Sequence, residues 1–351
     1  MRIQANRILV SRLRFLGDVI LTTPLVRRLR EVFPDAEICY LTEAAYAPVL
    51  ANNPHLDEVL SYPSRPTLGE QIQFYRELRR RHFDLAIDLF GNPRTAVMTW
   101  ISGAKIRVGG DFRGRGKLYN VRIPHSTETT DAISFHFRSL EALGIKAGDN
   151  RTELFLAEAE KRWANDFLRK RKVDTDAPLI GIHPGATWPN KRWPVQHFAK
   201  LADTLIAEGY QVLATQGPGE ESIVRELQRL SPQVNVLPVL PIRQVAAIQR
   251  QCQVFVSNDC GIMHLAVAVE TPTLGLFGPG QPEIWFPYDA ALGHAALKYE
   301  IECRPCHKNY CPLGHLDCQM KLAPERVAEE VRRRIGQKNL AHGNELSRKQ
   351  N

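Results

Sequence analysis

Short apolar runs alternate with amphipathic stretches along most of the chain. Residues 7–11 (RILVS), 37–41 (EICYL), 58–62, 84–89 (DLAIDL) and 105–108 read as strands. RILVS has the continuous apolar character of a strand buried on both faces. Between the first two, the pattern predicts a helix with Thr23 as N-cap and Pro24 in its first turn. Leu25, Leu29, Val32 and Phe33 share one face, and Pro34 stops the helix. A basic helix is expected over 70–81, and 136–143 sits on a helix ending at Gly144. A second series starts after the polar stretch 170–177, closed by Pro178. Its strands are 179–183 (LIGIH), 211–215 (QVLAT), 234–237, 254–257 (VFVS) and 273–277 (TLGLF). Its helices are 195–208 with Gly209 as cap, 220–230, 242–251, 261–268 and a last one over 324–335.

Strands alternating with helices predict parallel sheets covered on both faces. Two such series predict an α/β protein of two Rossmann-like domains, 1–172 and 178–335, followed by a polar, disordered tail over 336–351. Open α/β sheets take ligands at the carboxyl ends of their strands, so two facing domains would form a central cleft.

With 44% hydrophobic and 24% charged residues in 351, the chain has the composition of a globular protein, which excludes disorder as its main state. No apolar run approaches the ~20 residues of a membrane-spanning helix. The start runs straight into a strand pattern without a signal peptide, so a cytoplasmic protein is expected. The net charge is +8. Residues 1–150 hold 21 Lys and Arg against 16 Asp and Glu, and all but Lys105, Lys117 and Lys146 of those cations are Arg. Arg suits bidentate contact with phosphates and carboxylates, so an acidic partner of the first half is expected: nucleic acid, an anionic membrane surface or an anionic substrate.

Four segments carry candidate chemistry. In 16–19 (LGDV), just beyond the first strand, Asp18 either caps a helix or serves as a general base at the cleft. One glycine there, where a dinucleotide fingerprint needs three, argues against a nicotinamide or flavin enzyme. In 183–194 (HPGATWPNKRWP) a strand end, a Gly turn, a hydroxyl and two cations precede a helix, which is the make-up of a phosphate site. In 257–264 (SNDCGIMH) the backbone N–H groups of Cys260, Gly261 and Ile262 suit an anion, and Asp259 suits sugar hydroxyls. His264 alone reads as a packing histidine. After the last strand, Gly278-Pro279-Gly280 lets backbone approach a ligand closely.

Together with GPGEE at 217–221, these segments resemble the ADP-heptose:lipopolysaccharide heptosyltransferases, glycosyltransferase family nine, over about residues 6–335, with a heptosyltransferase II-like pattern. The resemblance implies a GT-B fold, with the acceptor in the first domain and the nucleotide sugar in the second. It implies an inverting, metal-independent transfer of L-glycero-D-manno-heptose from ADP-heptose to the Kdo/heptose inner core on lipid A, with no cofactor required and no nucleic-acid partner. Asp18 matches the family's general base. Lys191 and Thr187 match phosphate-binding residues, Asp259 a residue near the sugar, and Gly261 the diphosphate turn. Glu220 or Glu221 matches a ribose contact, and His264 a family histidine without an assigned role. Gly278 falls in the donor loop. Cys260 and Gly280 depart from the family, which commonly has Ser or Thr at both positions. The expected location is the cytoplasmic face of the inner membrane, against an anionic lipid surface. Arg113, Arg115 and Lys117 form a cationic loop suited to the acceptor's phosphates and carboxylates. Rival readings are another donor or acceptor on the same fold, a nucleotide-sugar epimerase, and a nucleic-acid or zinc-binding module.

Of seven cysteines, four fall at Cys303, Cys306, Cys311 and Cys318. Cys39, Cys252 and Cys260 are scattered and read as packing residues. Residues 303–307 also spell the haem-attachment pattern CxxCH, which the cytoplasmic reading disfavours, as it does disulfides. The cluster is read as a structural loop, with a structural zinc as the alternative and no catalytic metal.

Overall fold

The computed structural model describes residues 3–112, 114–124, 129–174 and 177–348, with side chains as far as Gly336 in the last helix. The chain divides into two compact units, Met1–Phe155 and Leu156–Asn351.

The first unit contains β1 (Arg7–Ser11), α1 (Leu16–Ile20), α2 (Thr23–Val32), β2 (Glu37–Glu43), β3 (Glu58–Tyr62), α3 (Leu68–Arg80), β4 (Leu85–Asp88), α4 (Pro93–Ile101), β5 (Ile106–Gly110), β6 (Val121–Ile123) and α5 (Ala132–Glu141). Its six strands are parallel in the order β3-β2-β1-β4-β5-β6. The second contains α6 (Glu158–Lys170), β7 (Leu179–His183), α7 (Val195–Ala207), β8 (Gln211–Ala214), α8 (Glu221–Leu230), β9 (Asn235–Val236), α9 (Ile242–Gln249), β10 (Val254–Asn258), α10 (Gly261–Ala268), β11 (Thr273–Phe277), α11 (Pro282–Trp285), β12 (Ala295–Lys298), α12 (Asp317–Met320) and α13 (Pro324–Arg348). Its parallel sheet runs β12-β11-β10-β7-β8-β9, the same Rossmann order as the first. The strands β4, β7, β10 and β11 are buried throughout, and β1 in all but its first residue, Arg7, as their largely apolar runs require.

The division falls at 155/156 rather than within 170–178. Helix α6, which the sequence pattern did not predict, belongs to the second unit. Its apolar face, Trp163, Ala164, Phe167 and Leu168, packs into the core of that unit, and Arg243 of α9 clasps Glu160 through two hydrogen bonds of 2.6 Å. The polar stretch is therefore only the turn between α6 and β7. Residues 149–153 stay with the first unit because Arg27 of α2 bonds the carbonyls of Asp149 and Arg151 and the carboxylate of Glu153. The last helix runs on to Arg348, so the expected disordered tail is helical up to there. The other unpredicted elements are short or weakly apolar: α1, α4, α11, α12, and the edge strands β6 (VRI) and β12 (AALK). Among the described residues, no helix is long and apolar enough to cross a membrane.

Candidate active site

In the strand order of each unit the chain reverses direction at one point, between β1 and β4 in the first and between β7 and β10 in the second. Loops diverge there and leave a crevice at the carboxyl ends of the strands. The segments singled out from the sequence sit at these two points.

In the first unit Asp18 occupies the third position of α1. Its Oδ2 accepts the backbone N–H of Phe15 at 3.0 Å, so it does cap the helix. Its Oδ1 is held by the guanidinium of Arg12 in a largely buried ion pair. Arg12 also donates to the carbonyl of Leu89, just past β4, at 2.8 Å, and stacks over Phe90. It thereby crosses the β1/β4 switch point and ties the carboxylate to both sides of it. Cap and catalytic geometry are thus compatible: each oxygen has one fixed donor, and the group stays partly exposed. Arg12 directly follows RILVS, but nothing in the sequence marked it as the partner. His136, buried on α5, is held neutral with its pKa near 3, by burial first and then by the charge of Arg12. Of the cationic loop after β5, Arg113 lies outside the described residues. Arg115 lies over the ring of Phe112, and Lys117 is exposed.

In the second unit the loop from β7 to α7 is pinned by one residue that sequence reading left unassigned. Asn258, wholly buried at the end of β10, donates to the carbonyls of Pro184 (2.9 Å) and Gly185 (3.1 Å) and accepts the N–H of Trp193 at 2.9 Å. The loop ends are therefore fixed, and its middle presents exposed Thr187 and a short turn carrying Lys191. Lys191 Nζ lies 2.7 Å from Asp259 Oδ2 and over the ring of Trp188. Asp259 can stay there because Gly280 has no side chain: a Cβ would fall 2.4 Å from its Oδ2.

Glu220, rather than exposed Glu221, turns into the site. Its carboxylate accepts the Gly217 N–H at 2.7 Å and fills the space where a Cβ of Gly185 would sit. It also lies 3.5 Å from Nε2 of buried His183, whose Nδ1 is 3.0 Å from the Thr215 hydroxyl. Cys260 stands at the N-cap of α10 without a side-chain cap bond, and its sulfur lies 3.5 Å from the Ser257 hydroxyl, so the hydroxyl a Ser or Thr would offer the helix is missing here. Burial opposes charge on both His183 and Cys260. Each nonetheless favours the other's charged form, raising the histidine and lowering the thiol. The first-turn amides of α10, from Gly261, stand beside Lys191 and Asp259 at the same crevice, the usual build of an anion site. His264 is buried. It bonds the Tyr288 hydroxyl at 2.6 Å and is held neutral near pKa 3 by burial and then by Lys191. Gly278 abuts Gln319.

The comparisons agree with this architecture. The model of glycosyltransferase family 9 (heptosyltransferase) matches residues 71–317. Lipopolysaccharide heptosyltransferase 2 of Escherichia coli K12 is 28% identical, covering 93% of this chain and 97% of that protein. Lipopolysaccharide heptosyltransferase 1 of Pseudomonas aeruginosa is 27% identical, with 93% and 97% covered. The fold is also that of a family 9 glycosyl transferase from Veillonella parvula (TM-score 0.81, 24% identity, 95% and 98% covered) and of E. coli ADP-heptose lps heptosyltransferase II (TM-score 0.78, 24% identity, 95% and 99% covered). With the family model covering well over half of the chain, and two Rossmann-like units each bearing its motifs at a strand switch point, this chain belongs to glycosyltransferase family 9, the heptosyltransferases.

Proposed function

We propose that the chain moves L-glycero-D-manno-heptose from ADP-heptose to the inner core of lipopolysaccharide, with inversion at the anomeric carbon. The names of its relatives, lipopolysaccharide heptosyltransferases 1 and 2, support the substrate class. The observation that carries the reading is the crevice of the second unit, where Lys191, Asp259 and the N-terminus of α10 converge.

The donor diphosphate takes the first-turn amides of α10, with Thr187 and Lys191 beside it. Lys191 leaves Asp259 for the phosphates and stabilises the charge that develops on the departing ADP. Asp259, released, accepts from hydroxyls of the sugar, and Glu220 accepts from the ribose. Asp18, aimed by Arg12 and the Phe15 N–H, takes the proton of the acceptor hydroxyl as its oxygen attacks the anomeric carbon. ADP leaves from the opposite face. Lys191 and the α10 amides supply the charge stabilisation that a divalent ion provides in other transferases, so the chemical step runs without one. Arg115 and Lys117, with Arg113, offer cations to the acceptor's phosphates and carboxylates.

Work at the cytoplasmic face of the inner membrane fits the surface of α3 and α4. Leu68, Ile72 and Trp100 are exposed there, next to a groove of about 440 Å3 lined by Arg76, Arg79 and Arg80. Cations around exposed apolar side chains suit an anionic lipid surface.

The test is ADP release from ADP-heptose with and without a Kdo-containing lipid A acceptor, for wild type and Asp18→Asn. Acceptor-dependent release that falls ~10²–10⁴-fold in the variant is expected. Acceptor-independent consumption of the donor, or a variant as fast as wild type, would overturn the reading.

A further inference from the structure

The four clustered cysteines play no part in the chemistry just described, yet the fold gathers them. Cys303, Cys306, Cys311 and Cys318 all line one cavity of about 60 Å3, with Arg304 on its wall. None is in a disulfide. Within the segment the Gly314 N–H donates to the carbonyl of Cys311 at 3.2 Å. This turn is made possible by left-handed backbone at Gly314 and Leu316.

From the shared cavity lined by all four thiols, we propose that the segment 303–318 binds one divalent metal ion through its four cysteine sulfurs. Four thiolates select a thiophilic, tetrahedral ion, zinc or ferrous iron, over magnesium or calcium. At a metal–sulfur distance of about 2.3 Å the sulfurs stand roughly 3.8 Å apart. Among the described residues, the one group of three such ligand atoms already within 4.8 Å of one another is Glu37, Cys39 and Glu58. That group is committed elsewhere, since Arg7 and Arg81 pair with its carboxylates. No three of the cluster's sulfurs lie that close, so binding requires them to draw inward around the ion in the cavity. Their four thiol protons go to solvent, and the two excess negative charges of the centre face Arg304.

The site's position gives it a purpose. Arg304 donates to the carbonyl of Gly280 at 3.0 Å, and Asn190 donates to the carbonyl of Lys308 at 2.6 Å. Gln319, next to Cys318, donates to the carbonyl of Lys191 at 2.7 Å. The segment thus props both the Lys191 turn and the Gly278–Gly280 loop. With 16 residues from Cys303 to Cys318 and little regular structure of its own, it gains its rigidity from the metal. This effect on the donor loops rests on the donor reading above; the metal site itself does not.

The full chain, purified in reductant without chelator from cells supplied with zinc and iron, is expected to carry one metal per chain by elemental analysis. Elemental analysis tells zinc from iron, and an iron site additionally turns coloured on oxidation, when thiolate-to-ferric absorption enters the visible. Cys306→Ser combined with Cys318→Ser is expected to lose the metal, whereas Cys252→Ser keeps it. Because the double variant could fail to fold, wild type is also stripped with a mercurial, returned to reductant and titrated with Cd2+. Sulfur-to-cadmium absorption should saturate at one equivalent. Substoichiometric metal together with no such saturation would overturn the site, as would disulfides among the four cysteines in protein kept reduced. Stripping should also weaken ADP binding about tenfold. An unchanged ADP affinity with stoichiometric metal in the starting protein would remove the propping role and leave the site standing.

Discussion

Replacing Asn258 with Ala tests how the donor loop is held. The side chain is fully buried and makes three hydrogen bonds, two donated to the carbonyls of Pro184 and Gly185 and one accepted from Trp193 N–H. A buried hydrogen bond contributes ~1 kcal/mol net, and each partner stranded without water costs ~1–3 kcal/mol. Truncation removes three bonds but opens space for a water to recover part of the loss. The expected cost is therefore about 3 kcal/mol, near the lower bound for three stranded groups. Because the freed loop carries Thr187 and Lys191, ADP affinity should fall roughly 10–100-fold, the equivalent of about 1.4–2.8 kcal/mol of lost preorganisation. Asn258→Asp is the sharper comparison. It keeps the shape and the acceptor for Trp193, but sets an oxygen against two carbonyl oxygens. It should be at least as damaging as Ala despite filling the space. Four of the five tryptophans lie in the second unit, so intrinsic fluorescence in urea follows that unit, and calorimetry gives the ADP affinity. An Ala variant within ~0.5 kcal/mol of wild type and with unchanged ADP binding would refute the argument.

Two further outcomes follow from the same geometry. Gly280→Ala places a methyl group 2.4 Å from Asp259 Oδ2 and must push the carboxylate off Lys191. The kcat/KM for heptose transfer should fall about tenfold with little change in stability, and unaltered kinetics would show that the Lys191–Asp259 pairing does not matter to turnover. The second concerns acid. Burial, then a nearby cation, holds His136 and His264 near pKa 3 and His294 near 4, against ~6.5 in the unfolded chain. The unfolded state then binds more protons, so stability drops as pH falls from 6.5 towards 4, by ~1.4 kcal/mol per pH unit for each histidine. His183, whose pKa is raised, offsets part of this near the top of the range. The midpoint of urea unfolding should decline steadily between pH 7 and 5, and a flat profile would contradict the assignment.

Most strands could be read directly because the central ones are unbroken apolar runs, and RILVS, LIGIH and TLGLF appear where expected. Edge strands β6 and β12 were missed because an edge buries little and so leaves little apolar signal. Helix α6 was missed because its apolar face is only four residues in thirteen: Trp163, Ala164, Phe167 and Leu168 pack into the core of the second unit, with the Glu160–Arg243 pair beside them. That one omission moved the domain boundary. Asp18, Lys191, Asp259 and the α10 turn stand out in the sequence because each lies in the loop or first helical turn after a strand and carries a side chain suited to phosphate, sugar or proton. Their supports do not. Arg12 and Asn258 act on residues distant in sequence, and a lone Arg or Asn after a strand has no periodic signature.

What the sequence determined by itself is the alternation that makes two parallel sheets, and the motif residues at their carboxyl ends. Both are local: periodicity selects the element, and the residues after a strand inherit its end. Only the tertiary structure decided which unit owns α6 and which glutamate of the 220–221 pair faces the crevice. It alone showed that Gly280 makes room for Asp259, that Asn258 fastens the donor loop, and that four cysteines share one cavity. Each of these is a contact between segments far apart in the chain. Such contacts are fixed by packing and by the need to satisfy buried polar groups, and neither leaves a periodic trace in the sequence.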